Sequence, residues 1–282
     1  MKVGVAGNSP LDAAMCQWTR LASQLRATIA PSAWRACEHA IRARGRRRTF
    51  SSTACLRRRL KQEELAALLP KTRLSNTQRN EVQGFHGVPC WRHIVRIDSD
   101  GGFDLYSERD YDRRVLRSLC QWVGTDSRQA SVASALSKHS DFVVAIAAVG
   151  WSRKRGRRLR FHLVTEPSAT MWTSTVKSVW RVMHRYDNVR VSQEQFVRAL
   201  ADRRRALLLN VEWRNATVAF KLEIPDVRFD RAGELCKLLG APPPDSALGA
   251  LGLSRMRYLG IRWEQGIPLE TTAYVPCSWR CP

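Results

Sequence analysis

Residues 206–240 read ALLLNVEWRNATVAFKLEIPDVRFDRAGELCKLLG, and residues 91–124 read WRHIVRIDSDGGFDLYSERDYDRRVLRSLCQWVG. Each is a run rich in strand-forming residues, a turn signal, a second such run, an acidic helix start and an amphipathic helix that ends in glycine. Asp100-Gly101-Gly102 and Arg214-Asn215 supply the turns. Val115, Leu116, Leu119 and Trp122 on one helix match Leu235, Leu238 and Leu239 on the other, and Gly124 and Gly240 stand where a helix C-cap belongs. Each unit is followed by a further hairpin, FVVAIAAVGWSRKRGRRLRFHLV at 142–164 and RMRYLGIRWEQGIPLETTAYV at 255–275. Repetition of this kind predicts an α+β protein made of four antiparallel hairpins with helices between them.

The outgoing strand of each hairpin alternates strictly. In FDLYSE (103–108), LRFHLV (159–164), AFKLEI (219–224) and TTAYV (271–275), one face carries Asp104, Tyr106, Arg160, His162, Lys221, Glu223, Thr272 and Tyr274. The opposite face carries Leu105, Phe161, Leu163, Phe220, Leu222, Ile224 and Val275. Helices packed on the apolar face leave the polar row looking either into solvent or, if the sheet curls, into an enclosed lumen.

Outside the hairpins, residues 10–45 and 62–69 read as helical, as does 168–201, with Trp180 and Met183 facing inward. The formal net charge is +22, with thirteen Lys and Arg against two acids in residues 1–62. Residues 1–60 therefore read as a basic helical or flexible leader resembling a transit peptide or solvated tail, ahead of a barrel domain at 61–282. The charge admits phosphates, diphosphates, acidic peptides and nucleic acid as partners. Eight cysteines include no Cys-x-x-Cys pair, which leaves no zinc site, and no apolar run of about 18 residues reaches across a membrane. A reduced, cytoplasmic protein is expected.

The RIDSDG stretch (96–101), the three hairpins 146–164, 211–224 and 258–275, and the alternation of hairpins with helices resemble the αββα-barrel aromatic prenyltransferases, closest to those that modify cyanobactin-type ribosomal peptides. The resemblance implies an antiparallel β-barrel of repeated hairpins surrounded by helices. It also implies transfer of an isoprenyl group from dimethylallyl or geranyl diphosphate, commonly with magnesium (Mg2+), to an electron-rich side chain of a peptide or to a small aromatic molecule. Arg160, His162 and Lys221 then hold the diphosphate, because ionisation of the allylic C–O bond places charge on the leaving group that preplaced cations stabilise. Tyr106 and Tyr274 shield the carbocation with their ring faces.

Two departures follow. The family's first barrel strand bears a glutamate, and the stretch Cys90–Ile94 places Arg92 near that position, leaving His93 as the candidate base. The family has five hairpins and only four are legible, so the barrel is incomplete, is completed by another chain, or is closed by the first 90 residues. Alternatives in other classes are a nucleic-acid-binding protein without catalysis and a catalytically degenerate relative of the barrel.

Overall fold

Period-two alternation with large residues on one side only lets a sheet bury that side and close on the other. The computed structural model describes residues 10–44, 47–109, 111, 143–152, 156–165, 171–201, 207–214, 217–244 and 254–276. Its strands are β1 (Trp34–Arg44), β2 (Arg47–Leu56), β3 (Arg92–Asp98), β4 (Phe103–Glu108), β5 (Val143–Ser152), β6 (Gly156–Thr165), β7 (Leu207–Arg214), β8 (Thr217–Arg228), β9 (Arg255–Glu264) and β10 (Ile267–Pro276). They follow one another around a closed antiparallel barrel in which β10 returns to β1. Odd strands end, and even strands begin, at one mouth of this barrel. The described helices lie on the connections at the other: α1 (Pro10–Arg26), α2 (Gln62–Leu68), α3 (Asn76–His86), α4 (Trp172–Asp187), α5 (Gln193–Leu200) and α6 (Phe229–Leu238).

The barrel is complete because a fifth hairpin sits where the sequence suggested a leader. Residues 34–44 are strand rather than the continuation of a helix, and α1 stops at Arg26. β1 pairs with β10 through Ala40↔Tyr274, and β2 pairs with β3 through Thr53↔Arg96. The barrel thus begins at Trp34, not at residue 61. The misreading has a local cause. Ala33, Ala36, Cys37, Ala40 and Ile41 recur at helical spacing, and alanine favours helices. On β2 the alternation is carried by Ser, Thr and Ala, which give little contrast between faces.

The outer face packs under the helices. Leu105, Phe161, Leu163, Phe220, Leu222 and Ile224 are all buried there, joined by Trp151, Trp213 and Trp263. Burying each such side chain is worth about 1.5–3 kcal/mol, so this layer dominates the fold's stability. Trp180 is partly buried and Met183 fully buried in α4, facing inward as expected. The β9–β10 turn shows how closely helix and barrel fit. Gln265 and Gly266 both have positive φ, and a Cβ on Gly266 would lie 2.1 Å from the Asn188 carbonyl oxygen, so only glycine fits. Asp187 at the end of α4 accepts the Gln265 N–H at 2.7 Å, which pins α4 to the turn. The expected helix with Val115, Leu116, Leu119, Trp122 and Gly124 lies outside the described residues, as do Cys120, Cys277 and Cys281. Among the described residues no helix is long and apolar enough to cross a membrane, and Cys16, Cys55, Cys90 and Cys236 are free thiols.

Candidate active site

With ten strands the barrel is too wide for its inward side chains to fill, so a lumen remains. The inner face is polar on most strands, β5 with Ile146, Ala148 and Gly150 being the exception, and the residues sort by height. Toward the turn-bearing mouth, Arg42, Arg96, Arg158, Arg160, Lys221 and Arg262 converge with Asp98, Glu212, Glu223 and Glu270 around a small space of about 50 Å³. Toward the helix-bearing mouth a chamber of about 270 Å³ is lined by Arg35, Glu38, Cys55, Arg92, Ile94, Glu108, Ile146, Leu208, Arg257 and Tyr258. Arg96, Tyr106, His162, Glu223 and Tyr274 line both spaces and form the waist between them.

The cationic end is an ordered ion network. Asp104 on β4 is wholly buried, accepts from Arg158 Nε (2.8 Å) and Arg160 Nη1 (3.0 Å) and is ion-paired with Arg96 Nη2. Asp98 on β3 accepts from Arg42 Nη2 and Arg158 Nη2 and is ion-paired with Arg96 Nε, each at 3.2 Å. Glu212 on β7 bridges Arg160 Nε (2.7 Å) and Arg262 Nη1 (3.4 Å). Gly150 on β5 makes room for this packing, since a Cβ there would lie 1.7 Å from Asp104 Oδ1. Burial alone would raise the two aspartates. The guanidiniums around them outweigh it and hold Asp98 well below, and Asp104 below, the usual carboxylate range.

At the waist, Lys221 Nζ donates to Thr272 Oγ1 (2.9 Å) and Tyr274 Oη (2.8 Å), and Tyr274 Oη donates to Glu223 Oε1 (2.7 Å). Burial pushes the Lys221 ammonium down to about 7, with Glu223 and Glu270 opposing the fall. An anion bound beside Nζ would restore its full charge. Arg160 Nη1 also donates to Tyr106 Oη at 2.9 Å. Tyr106 meets the His162 ring edge-on at 5.3 Å, and Tyr258 meets Tyr274 edge-on at 6.2 Å. Burial drives His162 down to about 4, so its imidazole is neutral at physiological pH, and its Nε2 has no hydrogen-bond partner among the described residues.

Arg160, His162, Lys221, Tyr106 and Tyr274 therefore meet around one enclosed space. His93 does not. It lies on the outer face of β3, fully buried, where its Nδ1 accepts the Leu60 N–H at 2.9 Å and its ring sits 5.0 Å from that of His86. Its neighbour Arg92 takes the lumenal place and pairs with Glu108. Burial, with His86 adding to it, holds His93 down at about 3, so it is a structural acceptor. A stability prediction follows. The unfolded imidazole takes up a proton near pH 6.5 while the folded one refuses it, so stability present above pH 6.5 is lost as pH falls toward 3. The loss is on the order of 1 kcal/mol per pH unit in that window. Urea titrations at pH 7 and pH 5 should show it, and His93→Asn should shed about half of the difference, because His162, held down at about 4, refuses its proton over the same range; an unchanged difference would assign the acid sensitivity to other groups.

Sequence reading of the outgoing strands alone missed half of the lumen. Arg96, Asp98, Glu212, Tyr258 and Arg262 come from incoming strands, whose alternation was equally visible. Glu38 and Arg42 were missed for another reason: they sit on β1, inside the stretch read as a leader. Glu38 lines the chamber and pairs with Arg257 at 2.9 Å. Burial raises its carboxyl, partly offset by Arg257.

No protein-family model matches the sequence. No curated protein matches it significantly. Solved structures do match. The 5-dimethylallyltryptophan synthase of Streptomyces coelicolor is 12% identical with a TM-score of 0.64, covering 95% of this chain and 92% of that one. The 6-dimethylallyltryptophan synthase of Micromonospora olivasterospora, in complex with DMASPP and Trp, is 15% identical with a TM-score of 0.63, covering 96% of this chain and 98% of that one. A closer likeness to the ribosomal-peptide group is carried by neither. Identities this low speak to architecture, and on architecture they agree with the topology: the chain has the closed ten-stranded αββα barrel of the aromatic prenyltransferases.

Proposed function

We propose that the protein transfers a dimethylallyl group from its diphosphate to the ring of an aromatic acceptor. The observation that carries this reading is the division of one lumen into a cation-rich end, a tyrosine-lined waist and a roomier chamber beside a carboxylate. The diphosphate would sit among Arg160, Lys221, Arg96 and Arg262, with the neutral His162 donating from Nε2. Heterolysis of the allylic C–O bond sends its electron pair to the leaving diphosphate, and these cations stabilise that charge as it develops. The allylic cation would form between Tyr106, Tyr258 and Tyr274, whose ring faces favour positive charge and whose bulk excludes water. A π-electron pair of the acceptor ring then forms the new C–C bond. The arenium carbon returns to aromaticity by losing its proton to Glu38, whose raised pKa makes it a stronger base than an ordinary carboxylate. Glu38 stands on the true first strand, where the family resemblance calls for a glutamate, so the assignment to Arg92 is withdrawn along with the base role of His93.

A chamber of about 270 Å³ must take both the prenyl tail and the acceptor ring, which favours the dimethylallyl over the geranyl donor. The expected magnesium finds no resident site. Among the described residues no group of three or more His, Cys, Asp or Glu side chains is arranged to hold a metal, and Asp98 and Asp104 already accept from arginines. The steps above are therefore assigned to the cations of the chain itself.

Incubation with dimethylallyl and geranyl diphosphate and a panel of tryptophan, tyrosine and short aromatic peptides tests the reading by mass spectrometry. A product heavier by one dimethylallyl unit is expected. Thermal stabilisation by the donor with no transfer to any acceptor would instead identify a degenerate barrel that binds without turnover.

A further inference from the structure

The rim of the chamber is unevenly charged. Arg35 at the start of β1, and Arg57 and Arg59 just past the end of β2, are exposed and hold no carboxylate among the described residues. Arg57 Nε donates to the Trp34 carbonyl (3.0 Å) and Arg59 Nη2 to the His86 carbonyl (3.1 Å), so both stems are anchored while their charge stays uncompensated. Trp91, at the foot of β3, is 63% exposed, the most exposed large apolar side chain among the described residues. It adjoins Arg92, which lines the chamber. Across the mouth, β5 and β7 present Ile146 and Leu208 instead of charge.

Building on the transfer reading, we propose that this β1–β2–β3 rim is the docking surface for a peptide acceptor with acidic residues flanking the modified aromatic side chain. The aromatic ring enters the chamber, its acidic neighbours meet Arg35, Arg57 and Arg59, and Trp91 covers the backbone beside them. The span sets the length of the motif. Strands lie about 4.8 Å apart, so β1 to β3 covers roughly 10 Å, the length of about three residues of extended peptide. A nucleic acid needs a longer cationic track to neutralise successive phosphates, and here Glu38 and Glu108 interrupt the arginines on the chamber wall.

The test reads binding without donor, so it stands apart from turnover. A fluorescent peptide with one tryptophan between glutamates is compared with its glutamine counterpart and with a single-stranded RNA of similar length, using the full chain. The acidic peptide is expected to bind about tenfold tighter than the neutral one, the combined worth of three exposed charge pairs. The preference should shrink as salt shortens the screening length. Arg35→Glu with Arg59→Glu should abolish it while lowering the thermal midpoint only by the few degrees expected for loss of the Arg59–His86 hydrogen bond, and Arg35→Lys with Arg59→Lys should retain it. Equal binding of the two peptides, a preference that survives the charge reversal, or RNA that displaces the acidic peptide at lower concentration would overturn the proposal. Transfer to free tryptophan without any acidic preference would overturn it too, leaving the transfer reading intact.

Discussion

Glu38→Gln is expected to lower the turnover of dimethylallyl transfer by roughly 10²–10⁴-fold, the usual contribution of a positioned general base. Donor binding should be unaffected, because Glu38 lines the chamber and not the cationic end. The pH profile gives a second readout. A base must be ionised to accept a proton, and burial raises the Glu38 carboxyl, so wild-type turnover should fall as pH drops through that raised pKa. The glutamine variant should lose this acid limb and keep a flat residual rate. Glutamine preserves the shape of the side chain and can still accept from Arg257, so the barrel wall is retained. Turnover within a factor of two of wild type would remove Glu38 from the reaction and return the base to the waist, where Glu223 accepts from Tyr274.

The four hairpins of residues 91–276 were legible because each pairs a large apolar face with a polar one, as Phe220, Leu222 and Ile224 against Lys221 and Glu223 show. The closing hairpin was not legible, because its alternation runs through Ala40, Ser51 and Thr53, whose side chains differ too little in hydrophobicity to mark a face. That one failure propagated into the chemistry. Without β1 the barrel seemed open and Glu38 seemed to belong to a tail, so the base was sought on β3. There the choice between Arg92 and His93 turned on strand phase, and a one-residue step moves a side chain from lumen to core. The pairing inside the lumen could not be read at all. Arg160 meets Asp104 across 56 positions of sequence, reaching over the small Ala148 and Gly150 of the β5 strand that lies between theirs.

That pairing sets the second large effect. Five buried arginines, Arg42, Arg96, Arg158, Arg160 and Arg262, and the partly buried Lys221 face five buried carboxylates, Asp98, Asp104, Glu212, Glu223 and Glu270. The cationic end is therefore nearly neutral, and Asp104 occupies guanidiniums that a diphosphate would use. Removing a buried charge from such a network strands its partners, so Asp104→Ala should destabilise the protein by about 3–5 kcal/mol, lowering the midpoint by about 10 °C. Inorganic pyrophosphate should then refill the place. A ligand that binds only the folded state stabilises it by RT ln(1 + [L]/Kd), so tighter binding shows directly as a larger thermal shift at equal concentration. The variant is expected to gain more from pyrophosphate than wild type does, with a Kd lower by about tenfold or more, as one buried negative charge is exchanged for the anion. Asp104→Asn, which keeps the volume and an accepting oxygen, should show the same gain in affinity with a smaller loss of stability. If pyrophosphate stabilises wild type and both variants equally, the anion does not meet this cluster. The diphosphate must then be sought among the arginines of the opposite mouth, where Arg92 and Arg257 already hold carboxylates and Arg35 does not.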